Sequence, residues 1–176
     1  PRDKGHGILT ASYEGVSVLN FDGKAWKTTH RGEGNQANPS GNRGSSEIKM
    51  GRLKGNHSFV ATVEPWHGNQ VVVYPTGETD KNGLWQRVVI DEELRWGHAV
   101  WCADLDGDGS DELIIGVRDN PDPKKDTFKL KSGVRIYKAL DEKGTKWQRH
   151  IIEDGGVAVE DLAAADLDGD GRIDIV

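Results

Sequence analysis

The chain has 176 residues, 35% of them hydrophobic, and a formal charge of −6 from 23 basic and 29 acidic side chains. That length is enough for a domain with a real core. The single cysteine, Cys102, excludes an internal disulfide, no run of about 18 apolar residues is there to span a membrane, and no basic stripe marks a nucleic-acid surface.

In chain order, the first predicted strand covers residues 7–12. It is followed by the alternating segment Val16-Ser-Val-Leu-Asn-Phe21, a turn at Asp22-Gly23 and a strand led by Trp26. A second set starts with a strand at 45–53 and continues with strands at 59–64 and 71–74, a turn at Asn82-Gly83 and a strand from Trp85 to Asp91. A third set has strands at 98–105, 112–117 and 134–137, a turn at Lys143-Gly144 and a strand from Trp147 to Glu153. Strands at 159–167 and 172–176 finish the chain. The charged stretch from Asp119 to Ser132 reads as a solvated loop between two of these strands.

The sets repeat. Trp85-Gln-Arg87 and Trp147-Gln-Arg149 stand 62 residues apart (85 to 147), with a weaker copy at Trp26-Lys-Thr. Two acidic loops, Asp104-Leu-Asp106-Gly-Asp108-Gly-Ser110-Asp-Glu112 and Asp166-Leu-Asp168-Gly-Asp170-Gly-Arg172-Ile-Asp174, share that spacing (104 to 166). Four antiparallel strands per repeat describe a propeller blade. We therefore expect an all-β fold, a partial β-propeller of about three four-stranded antiparallel blades. A partial blade would occupy 1–43, a blade 44–94, a blade with an acidic loop 95–156 and a partial blade with an acidic loop 157–176. The chain reads as a fragment of a longer propeller, or as one of several chains that complete a ring. Open blade edges are then a route to self-association.

The acidic loops point to calcium. Carboxylates at positions 1, 3, 5 and 9 of a tight glycine turn form an oxygen cage, and the position 7 carbonyls of Ser110 and Arg172 add a ligand each. Asp104, Asp106, Asp108, Ser110 and Glu112 form the first set, and Asp166, Asp168, Asp170, Arg172 and Asp174 the second. An EF-hand would need a glutamate at position 12 and flanking helices. Position 12 of the first loop is Ile115, and the flanks are strand-forming. At Arg52-Leu-Lys54-Gly-Asn56 basic residues replace the carboxylates, so no calcium is expected there; Lys54 would supply fixed positive charge instead. Calcium loops of this kind suit a secreted or periplasmic setting.

The pattern Asp-x-Asp-Gly-Asp-Gly-x-x-Asp/Glu-Leu/Ile between strands resembles the FG-GAP/VCBS repeat. That resemblance implies the calcium-binding propellers of integrin alpha chains and many secreted bacterial proteins. The segment from Gly97 to Gly109 and the Trp-Gln-Arg strands are also similar to the propeller part of aldos-2-ulose dehydratases, which implies metal-dependent removal of water from an oxidised sugar.

The innermost strand of a blade lines the central channel. Aligning the blades on the acidic loop sets Ser46, His98 and Glu160 level, with Glu47, Ala99 and Asp161 next. Glu47, His98, Glu160 and Asp161 are thus expected at one channel mouth, where His67 joins them. Such a set suits zinc or another divalent metal, or proton abstraction beside a carbonyl. The plainer alternative is that these residues only hydrogen-bond the neighbouring blade. Trp66, Trp96 and Trp101 could each stack on a sugar ring; Trp96, near the mouth, is the better platform, while Trp101 and the repeated Trp26, Trp85 and Trp147 are assigned to packing. Cys102, on an apolar strand, reads as a buried small side chain.

Two functions stay open at this point. One is a binding module with structural calcium and a carbohydrate or protein ligand. The other is a metal-dependent lyase or isomerase on a sugar.

Overall fold

The structure is a computed structural model and describes residues 7–37, 42–94, 96–118 and 132–176. His6 and the charged stretch at 119–131 lie outside the described residues. Strands β1 (Gly7–Ser12), β2 (Gly15–Phe21) and β3 (Trp26–Gly32) form the first sheet. The second sheet contains β4 (Ser46–Leu53), β5 (His57–Glu64), β6 (Gln70–Pro75) and β7 (Val88–Asp91). The third contains β8 (Trp96–Ala103), β9 (Glu112–Arg118), β10 (Gly133–Ala139) and β11 (Trp147–Asp154), and β12 (Ala164–Ala165) pairs with β13 (Asp174–Ile175). The pairings are antiparallel and the strands of each sheet follow in sequence order, as in the blades of a partial propeller.

Side chains alternate along a strand, so a middle strand buried on both faces feeds two cores. Phe59, Ala61 and Val63 of β5 and Val71 and Val73 of β6 pack with Val100, Leu113, Ile115 and Val117 of the third sheet. Their alternates Val60, Val72 and Tyr74 pack with Val16 of the first sheet. On the far face of the third sheet, Ala99 and Ile114 meet Val159, Leu162 and Ala164. These unbroken apolar runs made β5, β6 and β9 easy to predict.

The outcome differs from expectation in three places. The strand predicted from Trp85 begins at Val88; Trp85 itself forms a bridge to Thr79, donates its N–H to the Arg31 carbonyl at 2.8 Å and packs on the core of Val16, Val60, Val72 and Tyr74. The strand predicted over 159–167 shrinks to Ala164–Ala165, because the returning segment faces only Ala163 to Ala165. Trp147 packs edge-on against Phe59 of the preceding sheet, with ring centres 4.9 Å apart, but Trp26 is 48% exposed and leans only on Phe21.

The repeated Arg of Trp-Gln-Arg has a structural use. Glu64 is fully buried and accepts hydrogen bonds from Ser45, Thr62 and Tyr74 (2.9, 2.8 and 2.6 Å), while Arg87 Nε reaches its other oxygen at 2.7 Å. One repeat later, Tyr137 (2.7 Å) and Arg149 (2.9 Å) converge on the buried Asp91, which belongs to the preceding sheet. Breaking such a pair from one side leaves a buried charge without its counter-ion. Arg87→Met is therefore expected to cost about 3 kcal/mol in urea unfolding, and adding Glu64→Gln to restore part of the loss. A single variant as stable as the wild type would refute this role for Arg87.

Candidate functional site: acidic loops and a channel-mouth cluster

Both acidic loops turn on glycines with positive φ: Gly107 and Gly109 at 73° and 91°, Gly169 and Gly171 at 79° and 85°. These angles are costly for any side chain. The turn aims backbone N–H groups inward. In the first loop Asp104 accepts from the N–H groups of Asp108 and Gly109 (both 3.0 Å), Asp106 from that of Asp108 (3.2 Å) and Asp108 from that of Ser110 (2.9 Å). The second loop repeats this: Asp166 accepts from the N–H groups of Gly169, Asp170 and Gly171, and Asp168 from that of Asp170.

Oxygens of Asp104, Asp106 and Asp108 lie within 4.8 Å of one another, as do those of Asp166, Asp168 and Asp174. A preorganised all-oxygen cluster of that span fits calcium. Two expected ligands stand apart from these clusters. Glu112 accepts from the Leu105 N–H at 2.9 Å, and Asp170 turns to the Arg172 guanidinium, whose Nε is 2.9 Å away. The Ser110 hydroxyl faces the preceding sheet, where it accepts from the Lys54 N–H at 3.2 Å.

The first loop is ringed by cations. Lys54 Nζ stands 3.3 Å from Asp108, and Arg52 pairs with Asp111 at 3.3 Å. The Lys138 ammonium touches Asp106 and lies 3.1 Å from Asp108 and 3.8 Å from Glu112. The Ser110 N–H and then Lys138 hold the Asp108 carboxyl down at about 2. The positive charge expected from Lys54 is thus present, though directed at the neighbouring loop.

The other group lies where the inner strands begin. In β4 the register shifts between Ser46 and Ile48, and in β8 between Gly97 and Ala99. Glu47 and His98 are the residues left over, so Glu47, not Ser46, is the counterpart of His98. Aligning on the loops misplaced it because the turn after β4 is only Lys54–Asn56, which lets Leu53 pair with His57. Glu47 and His67 both take left-handed backbone angles, with φ of 46° and 48°, which are uncommon for residues other than glycine. His67 is fixed by its N–H, which donates to the buried Ser46 hydroxyl at 2.9 Å.

Glu47, His67, His98 and Glu160 do meet. The imidazoles of His67 and His98 have ring centres 4.4 Å apart at 63°. His67 Nε2 is 3.7 Å from Glu47, and His98 Nε2 is 3.6 Å from Glu160, which Arg118 also holds at 2.9 Å. His98 Nδ1 lies 2.6 Å from the Glu160 carbonyl. A carbonyl only accepts, so Nδ1 carries the hydrogen and Nε2 faces the cluster. Burial, then the charges of His98 and Arg118, push His67 below the ordinary histidine value despite Glu160. Burial raises the Glu47 carboxyl, and Asp161 adds to this, while His98 and Lys49 oppose it. Asp161 lines a shallow cleft with Lys49 and Trp101, and the Lys49 ammonium sits 4.4 Å from the centre of the Trp101 ring.

Trp96 is 40% exposed at the start of β8, opposite Arg118. The indole that contacts His67 is instead Trp66, stacked on it at 5.4 Å and 14° and flanked by Tyr13. Its place beside His67 in Pro65-Trp66-His67-Gly68 was the available signal. Burial drives the Cys102 thiol upward, which leaves it little thiolate character.

Parts of this sequence match known families. Residues 3–77 match the family described as aldos-2-ulose dehydratase, beta-propeller domain, and residues 104–176 the family described as FG-GAP-like repeat. The aldos-2-ulose dehydratase of Phanerodontia chrysosporium is 28% identical over 186 aligned residues, which cover 96% of this chain and 20% of that one. The chain thus spans about a fifth of the length of this curated relative. Both acidic loops fall inside the FG-GAP-like match, and the channel mouth draws Glu47 and His67 from the first match and Glu160 from the second. The chain is thus similar to the propeller domain of aldos-2-ulose dehydratase over its first part and to FG-GAP-like repeats over its last.

Proposed function

We propose that this segment is held by calcium in its two acidic loops and carries, at the channel mouth, the acid–base group of a dehydratase acting on an oxidised sugar. One observation carries the reading: two imidazoles 4.4 Å apart, each beside a carboxylate. The relative's name supplies the substrate class, an aldos-2-ulose.

Such a sugar has a carbonyl that acidifies the C–H bond next to it. Removing water takes that proton to a base, and the hydroxyl on the following carbon leaves after receiving a proton from an acid. His67 suits the base, since its lowered pKa keeps it neutral near neutrality. His98 suits the acid in its imidazolium form: Nδ1–H stays on the Glu160 carbonyl, and the proton on Nε2, 3.6 Å from the Glu160 carboxylate, is the one it gives. Glu47, its pKa raised chiefly by burial, stands 3.7 Å from His67 Nε2. Among the described residues, three ligand atoms come within 4.8 Å of one another in the acidic loops but not at the mouth, which favours acid–base chemistry there over a ready-made zinc cage. Calcium would bind through Asp104, Asp106 and Asp108 and through Asp166, Asp168 and Asp174, tying together the strands that each loop joins; a calcium-rich compartment outside the cytosol suits it. A pure binding module would need only the calcium loops and would leave the histidine pair without a role.

Assayed on the intact protein with an aldos-2-ulose, His67→Gln and His98→Gln are each expected to lower kcat by about 100-fold or more with the calcium-bound melting temperature unchanged. Losses under threefold would return the segment to the binding reading. The wild-type rate is expected to rise with pH through a value below the ordinary histidine pKa, because only neutral His67 accepts a proton. The groups facing His67 are Glu47, His98, Arg118 and Glu160. The rise should vanish in His67→Gln. Separately, Asp168→Asn is expected to lower the melting temperature by about 5 °C in calcium and not at all in chelator. Equal losses in both buffers would sink the calcium assignment.

A further inference from the structure

The first acidic loop already contains a cation of the chain's own. In the β9–β10 ladder Tyr137 pairs with Leu113, which brings the next residue of β10, Lys138, level with Glu112 at the end of the loop. From there its ammonium reaches Asp106, Asp108 and Glu112. Asp106 and Asp108 are two of the three residues whose oxygens form the cluster that fits calcium. A divalent ion cannot share those oxygens with an ammonium seated on them, since the two cations repel and each needs the same lone pairs. Lys54, from the turn after β4, adds a second positive charge on Asp108 at 3.3 Å. In the second loop the guanidinium of Arg172 pairs with Asp170, which lies outside the cluster of Asp166, Asp168 and Asp174.

We propose that Lys138 and calcium exchange at the first loop: the ammonium holds Asp106, Asp108 and Glu112 together in the metal-free chain, and calcium binds there only by displacing it. The exchange rests on the calcium reading above. It makes the two loops unequal, because binding at the first must break the Lys138 and Lys54 pairs and binding at the second need not. It also ties calcium to strand β10, which ends at the first loop through Lys138.

The test is a calorimetric calcium titration of the full chain, wild type against Lys138→Met. The variant is expected to tighten one of two binding events on the order of tenfold, the sum of a few partly exposed ion pairs, and to leave the other within twofold. A second readout does not depend on the variant's folding. Acylation of lysines in the wild-type chain, followed by mass spectrometry, should modify Lys138 faster in calcium than in chelator. Unchanged affinities in Lys138→Met, or equal or slower labelling of Lys138 in calcium, would overturn the exchange while leaving the calcium sites standing. No calcium uptake by either protein would overturn the calcium reading and the exchange with it.

Discussion

The strands β5, β6 and β9 are buried on both faces, and the rest of the structure follows from that constraint. A strand such as β5, with Phe59, Ala61 and Val63 on one side and Val60 on the other, cannot be satisfied by one partner sheet. The second and third sheets therefore each have a neighbour on both sides, and the stacking sets the spacing of everything at the sheet ends. Inner strands that begin side by side bring their first residues together. Glu47, His98 and Glu160 are far apart in sequence and close in space for this reason alone.

Local irregularity then does what regular pairing cannot. A ladder in perfect register assigns every residue of an inner strand to one face or the other. The shifts at Glu47 and His98 insert one residue without a partner at the start of β4 and β8, and bulges of this kind re-aim a side chain. His67 reaches the same place through a left-handed backbone angle stabilised by the Ser46 hydroxyl, itself on β4. Three departures from ideal geometry thus serve one cluster, where a purely structural sheet end needs none.

Much of this was legible in the sequence. The apolar runs of β5, β6 and β9 and the two glycine-rich acidic turns are local signals, and repetition made the blade order readable. Grouping Glu47, His98 and Glu160 followed from the repeat as well, although the register within β4 did not, because a shortened turn leaves no mark that distinguishes Arg52 from Leu53 as the end of the ladder. The buried carboxylates Glu64 and Asp91 were also invisible. A glutamate in a strand carries no sign of whether water or an arginine will meet it. In retrospect the sign was in the partners: Arg87 and Arg149 hold the same place in successive repeats, and Tyr74 and Tyr137 nearly so. Lys138 escaped notice for a related reason, since its importance depends on a loop that strand β9 separates from it in sequence and that the ladder brings level with it.

The chain treats its carboxylates in three distinct ways. In the core, Glu64 and Asp91 are each locked by an arginine and a tyrosine. In the loops, the Ser110 N–H with Lys138 and Lys54 lowers the Asp108 pKa, and Arg172 lowers that of Asp170, which favours the ionised state a hard cation needs. At the mouth, Glu47 faces an imidazole instead of a permanent cation, and burial raises its own pKa while lowering that of His67. Pairs whose environments draw their proton affinities toward the same range are the ones able to pass a proton in either direction. That difference in chemistry, more than the mere gathering of polar residues, separates the mouth from the structural charge pairs elsewhere in the fold.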